Sequence, residues 1–236
     1  MAVLLMALLL AVPGCLFAYL AWEYHRSEYR AQTGACYLAL FFDKGRMGEY
    51  QVYRCLRRIP PPRRFLFNLY VPKEHGETTE VDVVMVHPTG LYVFESKQYA
   101  GWIFGRETDR YWTQCLPAGR GSHKERFFNP ILQNAGHVRW LRELLGEGAP
   151  PLRSFIVFSA HCVLKDVTLT GGAHTVLTRD RLPAAVREAV GRAGRCLSAE
   201  AVERIFRSLE PLTQVSEATK AAHVEAIHAR LAPGGP

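Results

Sequence analysis

The chain has 236 residues, of which 48% are hydrophobic and 22% charged, with a formal net charge of +7. This composition excludes a disordered or low-complexity chain, and the length allows one sizeable core but not two ordinary domains. The positive balance favours polyanionic partners, either nucleic acid or anionic lipid headgroups.

Residues 1–22 carry no charged side chain, which is the length of a spanning helix. No Lys or Arg precedes Glu23 and no small-x-small cleavage site follows, so the segment does not read as a signal peptide. Trp22 and Tyr24, then Arg26 and Arg30, have the order of an interfacial belt. The expectation is a single-pass membrane protein, held in the lipid bilayer by one N-terminal helix with its body cytoplasmic. Beyond that helix Cys36, Cys55, Cys115, Cys162 and Cys196 are odd in number and without CxxC spacing. They read as free thiols in a reducing compartment, not as a zinc site.

Gly48-Glu49 begins a stretch with Val52, Tyr53 and Leu56 at helical spacing, which ends at Pro60-Pro61-Pro62. Residues 65–71 read as a strand and 73–79 as a polar loop. Two β-branched and aromatic runs follow, VDVVMV (81–86) and LYVFESK (91–97), joined by His87-Pro88-Thr89-Gly90 as a hairpin turn. Residues 99–114 add one or two short strands carrying Trp102 and Trp112. Residues 116–126 are glycine-rich and basic, the expected mobile loop, and offer Arg120, Lys124 and Arg126 to a nucleic acid. Asn129-Pro130 opens a helix whose Leu132, Gly136, Trp140 and Leu144 face should pack on the sheet, with Gln133 and His137 on a neighbouring face. Residues 154–159 read as a strand buried on both faces. A weaker strand at 174–178, a helix at 182–190 and two amphipathic helices from Ser198, broken near Pro211, complete the chain.

The hairpin carries the chemistry. A turn centred on Pro88-Thr89 sets Asp82 opposite Glu95, and side chains so paired have Cβ atoms about 5 Å apart, where like charges repel. Lys97, two residues on, projects from the same face as Glu95. Two carboxylates and an ammonium in an apolar hairpin suit a divalent cation with a phosphate. Mg²⁺ is held by one or two carboxylates plus water and phosphate oxygens, and the Ser96 carbonyl adds an oxygen beside Glu95. Lys97 would orient a water or stabilise developing charge. The plain alternative is that Asp82 closes a turn while Glu95 and Lys97 end a solvated strand.

Four stretches together resemble the nuclease-related domain (NERD) family of the PD-(D/E)xK nuclease superfamily. They are KGRMGEYQVYRCL (44–56), TTEVDVVMVHPTGLYVFESKQYAGWIFG (78–105), YWTQ (111–114) and FFNPILQNAGHVRWL (127–141). The chain departs from the family at Glu80-Val81-Asp82-Val83, where the family has Gln-Ile-Asp-His; the metal-binding Asp is kept. The resemblance implies a metal-proximal Glu49 on the first core helix, and a Gln133 that touches the metal water or the DNA backbone. It also implies a place for His137 in the family's helix pattern.

The expected fold is α/β with a restriction-endonuclease-like core (α-β-β-β-α-β, a mixed central sheet flanked by helices), an N-terminal transmembrane helix and C-terminal helices. The expected division is 1–22 anchor, 23–43 juxtamembrane segment, 44–195 nuclease-like domain and 196–236 helical extension. The expected function is a membrane-anchored endonuclease dependent on Mg²⁺ (or Mn²⁺) that hydrolyses DNA. Its catalytic set is Glu49, Asp82, Glu95, Lys97 and Gln133; Asp82, Glu95 and Ser96 hold the metal, and Arg120, Lys124, Arg126 and His137 hold the nucleic acid. The alternative is an inactive nuclease-fold module that binds nucleic acid or protein at the membrane.

Overall fold

The computed structural model describes residues 2–119 and 121–231, without the side chains of residues 2–10, 75, 118 and 226–231. Helices α1 (Ala2–His25), α2 (Glu28–Thr33) and α3 (Ala39–Phe42) precede α4 (Lys44–Leu56). Asp43 caps α4 by accepting the Arg46 backbone N–H. The antiparallel strands β1 (Arg64–Pro72), β2 (Thr78–His87) and β3 (Gly90–Lys97) come next. After them come β4 (Gly101–Arg106), β5 (Tyr111–Ala118) and β6 (Gly121–Phe128), then α5 (Pro130–Leu145) and β7 (Leu152–Phe158). The chain continues through β8 (Cys162–Thr168), β9 (His174–Thr178), α6 (Leu182–Arg192), α7 (Ala199–Leu209) and α8 (Glu217–Leu231).

The main sheet runs β1-β2-β3-β7-β9, antiparallel on the β1 side and parallel from β3 to β9. Helices cover both faces, which is why β3 and β7 are apolar runs and not alternating strands. On one face Phe65, Phe67, Val83, Met85, Tyr92 and Phe94 pack with residues of α2, α4 and α6. On the other, Leu66, Leu69, Val81, Val84 and Val93 pack with Leu141 of α5 and Val202 and Phe206 of α7. Fully burying one such side chain contributes roughly 1.5–3 kcal/mol. The order α4-β1-β2-β3-α5-β7 is the expected core, with β4, β5 and β6 inserted before α5. Those three strands and β8 form a second sheet, β6-β5-β4-β8, joined to the first through Ile103, Trp112, Ile131, Ile156 and Phe158.

The membrane reading is corrected. Among the described residues no helix is long and apolar enough to cross a membrane, and the side chains of residues 1–10 lie outside those described. The last turn of α1 docks on the body. Tyr24 is fully buried and donates its hydroxyl to the Ala35 carbonyl at 2.8 Å, and Glu23 pairs with Arg54 and Arg57 of the α4 end. A charged and aromatic turn that belongs to the core, directly after the apolar run, is what the count of uncharged residues overlooked.

Two smaller expectations also change. The glycine-rich basic stretch is a paired hairpin, with β5 and β6 in register from Tyr111↔Phe128 to Ala118↔Gly121. The packed face of α5 is Ile131, Asn134, His137 and Leu141, whereas Leu132 and Leu144 stay exposed. Two polar residues belong to the buried face, so the apolar spacing pointed one position away from it.

Candidate active site

The β2–β3 ladder runs from His87↔Gly90 to Val83↔Phe94, the register implied by the two-residue Pro88-Thr89 turn. One step further the strands separate at Asp82 and Glu95, while β3 stays paired to β7 through Lys97. The freed backbone N–H of Ser96 donates to Asp82 Oδ2 at 2.7 Å. Asp82 therefore takes the place of a missing ladder acceptor and is held at the mouth of the gap.

Glu95 is 1% exposed, and both its oxygens are bonded. Lys97 Nζ lies 2.7 Å from Oε1, and His137 Nε2 lies 3.0 Å from Oε2. A carboxylate only accepts, so the histidine donates from Nε2, while its Nδ1 is hydrogen-bonded with the Thr79 hydroxyl at 2.8 Å. Lys97 also donates to Gln133 Oε1 at 3.0 Å. Next to His137 on α5, Asn134 is fully buried and donates to Ser154 Oγ at 2.8 Å and the Val93 carbonyl at 3.2 Å. Helix α5 is thereby tied to the sheet directly behind the site.

Helix α4 brings in Glu49 from the other side. A Cβ on Gly48 would lie 2.5 Å from Gln98 Nε2 and 2.7 Å from Ser96 Oγ, so glycine permits the close approach of α4 to the end of β3. Glu49 is buried, accepts the Tyr29 hydroxyl at 2.9 Å and receives Asn68 Nδ2 at 3.4 Å.

The carboxyls titrate far apart. Burial, followed by the charges of Glu95 and Glu49, pushes Asp82 well above the usual carboxylate range. Burial pushes Glu49 up to about 7 against the opposing Tyr29 bond, with Glu80 and Asp43 adding to the rise. For Glu95, burial is outweighed by the Lys97 charge and the His137 bond, and its pKa falls. Burial would lower Lys97, but Glu95 and Asp82 raise it, so the ammonium stays charged.

This donor set fits a hard divalent cation. Two carboxylates with a backbone carbonyl between them are a usual Mg²⁺ complement once water is added. Two buried oxygens of neighbouring residues, Ser96 Oγ beside Gly48 and Asn68 Oδ1 on the side chain that meets Glu49, have no hydrogen-bond partner, and the crowding of buried carboxyls is relieved by positive charge. Among the described residues no group of three or more His, Cys, Asp or Glu side chains is placed to hold a metal by itself, so water and substrate oxygens would complete the shell.

The structure thus brings Glu49, Asp82, Glu95, Ser96, Lys97 and Gln133 to one end of the main sheet. His137 is 3% exposed and bonded at both nitrogens; it orients Glu95 and does not face outward. Lys124 and Arg126 stand two apart on exposed β6, with the Arg126 guanidinium 5.0 Å from the Tyr111 ring centre. Arg120 lies outside the described residues. Sequence reasoning missed Asn68, Tyr29, Thr79 and Asn134. For Asn68 the only signal is that asparagine tolerates left-handed backbone.

The nuclease-related domain family model matches residues 44–159, from the start of α4 to the end of β7, and so includes every residue of the site but Tyr29. A Bacillus anthracis protein described as uncharacterized is 30% identical over 190 residues, which is 80% of this chain and 86% of that relative. No solved structure gives a significant match.

Proposed function

The chain belongs to the nuclease-related domain family, and from that premise we propose that it is a divalent-metal-dependent endonuclease that hydrolyses DNA phosphodiester bonds. The observation that carries this reading is the Asp82–Glu95 opening between β2 and β3 with Lys97 in contact with Glu95. Asp82, Glu95 and the Ser96 carbonyl would hold Mg²⁺ or Mn²⁺. Such a cation, when bound, supplies charge to offset the scissile phosphate and acidity to a coordinated water.

The chain's own residues then divide the work. Lys97 is a charged donor kept in place by Glu95 and Gln133, suited to the charge that develops on the phosphoryl oxygens. Gln133 holds the ammonium through its Oε1. His137 and Thr79 fix the Glu95 carboxylate, as partners of a metal-binding carboxylate do. Exposed Lys124 and Arg126 on β6, with Arg120, offer phosphate contacts, which position a nucleic acid without reading its sequence.

A second reading has one observation in its favour. The Lys97–Glu95–His137 network is complete without a cation, as an inactive nuclease-fold module that binds nucleic acid or protein would have it. Incubating the full chain with supercoiled, linear and single-stranded DNA in Mg²⁺, Mn²⁺ or EDTA separates the two. The nuclease reading expects nicked or cleaved product with either metal and none with EDTA. Retention of DNA without cleavage under every metal condition selects the module.

A further inference from the structure

Among the described residues Asn68 is the one non-glycine residue with a left-handed backbone, φ 51°. Side chains adopt that conformation at a cost, and it persists where surrounding structure over-determines it. Asn68 sits inside β1, between the pairs Phe67↔Val83 and Leu69↔Val81, and therefore opposite Asp82. Continued one step past its last pair, Val83↔Phe94, the β2–β3 register sets Asp82 across the opening from Glu95. Asn68, Asp82 and Glu95 thus form one transverse row across three strands.

At this row the sheet changes which face its residues address. Phe65 and Phe67 belong to the α4 side of the core, whereas Leu69 and Val71 belong to the α5 and α7 side. Strand β2 makes the matching change at Asp82, with Val81 on the α5 side and Val83 on the α4 side. A strand of strict period two could not do this. The left-handed residue is what allows it, and its side chain is used in full on one side. Nδ2 donates to Glu80 Oε1 at 3.1 Å and reaches Glu49 Oε1 at 3.4 Å, while Oδ1 is buried without a partner.

We propose that Asn68 is a positioning residue of the cation site: its amide N–H₂ clamps Glu49 and Glu80 beside the Asp82–Glu95 row, and its free Oδ1 accepts a hydrogen bond from a water on the cation. The inference rests on the metal-dependent reading of the same site. It follows from chemistry on both halves of one amide. Two carboxylates near one another need a donor between them, and a buried carbonyl oxygen needs a donor towards it. Mg²⁺ and Mn²⁺ sites that keep several waters supply such a donor.

The test compares Asn68→Gly and Asn68→Asp with the unaltered full chain, using Mn²⁺ titration calorimetry, thermal unfolding with and without Mn²⁺, and plasmid-nicking kinetics. Glycine takes the left-handed backbone freely, so Asn68→Gly should still fold, with Tm lowered only by the donor withdrawn from Glu49 and Glu80. It should nevertheless bind Mn²⁺ about tenfold more weakly, the usual scale for losing a supporting partner, with kcat reduced and KM for DNA unchanged. Asn68→Asp keeps an acceptor oxygen but replaces the donor by an anion between Glu49 and Glu80, and should lower Tm without Mn²⁺ more than Asn68→Gly does. A purely structural Asn68 would move Tm and leave Mn²⁺ affinity alone. Wild-type Mn²⁺ affinity and kcat in Asn68→Gly would overturn the proposal while leaving the metal reading intact. Absence of Mn²⁺ binding by the unaltered chain would overturn both.

Discussion

Asp82 Oδ2 accepts the Ser96 backbone N–H at 2.7 Å at the point where β2 and β3 stop pairing. The side chain of one strand replaces a backbone acceptor of the ladder where the strands part. This bond links the carboxylate from β2 to the Glu95-Ser96 backbone on β3.

Removing the histidine behind Glu95 should loosen that arrangement. His137→Ala leaves one oxygen of a buried carboxylate and the Thr79 hydroxyl without partners. We expect a loss of roughly 1–3 kcal/mol in urea denaturation and a Mn²⁺ affinity about ten- to a hundredfold lower. Unchanged affinity in a destabilised variant would make His137 a packing residue alone.

Gly48→Ala tests how closely α4 must approach β3. The added methyl would meet Ser96 Oγ at 2.7 Å and the flexible Gln98 amide at 2.5 Å. Gln98, met also at its Cγ at 2.7 Å, must swing aside, and Ser96 Oγ must turn to another rotamer or α4 must move off β3. The expected cost is about 1–3 kcal/mol, with a fall in DNA cleavage larger than the fraction unfolded explains. Full activity at normal stability would show that Glu49 tolerates a shifted helix.

The docked end of α1 gives a third expectation. Tyr24 is fully buried, packs edge-on against Tyr50 at 4.9 Å between ring centres and is bonded to Ala35. Tyr24→Ala should cost about 3–5 kcal/mol by chemical denaturation, and Tyr24→Phe about 1–3 kcal/mol for the orphaned carbonyl. An anchor helix independent of the body would show no effect from either.

The register of β2 and β3 followed from a two-residue turn between β-branched runs, because turn length and period two leave one pairing that buries both strands. Glu49, Gln133 and His137 could be named from a resemblance, but the role of His137 could not, since its burial depends on which face α5 turns inward. That face is marked by Asn134 and His137, polar residues that periodicity assigns to solvent. From sequence the β5–β6 hairpin reads as a loop, because its glycines and exposed basic residues give no apolar alternation. The end of α1 was hidden because Glu23 and Tyr24 find their partners on α4 and at Ala35, contacts made only in the folded chain. Asn68 was invisible because a conformational exception leaves no mark on composition.

Stability should fall with acid partly through His87. Burial, followed by the positive charges of Arg195, Arg63 and Arg153, lowers its pKa to about 4, so the ring is neutral in the fold while the unfolded ring protonates near its ordinary value of about 6.5. The unfolded state binds the proton first, so the contribution is complete above about pH 6.5 and is lost as pH falls towards 4. His87→Asn keeps an acceptor for the Thr89 backbone N–H, which His87 Nδ1 meets at 3.2 Å, and removes the titration. Urea midpoints from pH 7 to 4 should decline less steeply in the variant; parallel curves would contradict the assignment.

The division of labour between Lys97 and the carboxylates is the centre of the account, and one paired measurement reaches it. Mn²⁺ titration calorimetry and plasmid nicking are run on the unaltered chain, Lys97→Ala and Asp82→Asn. Removing an ammonium 2.7 Å from Glu95 takes positive charge away from the cation's ligand, so Lys97→Ala should bind Mn²⁺ at least as tightly as the original while cleavage is lost. Asp82→Asn can still accept from Ser96 but has lost its charge, and should weaken binding and cleavage together. Full cleavage by Lys97→Ala, or unaltered Mn²⁺ affinity in Asp82→Asn, would contradict the account.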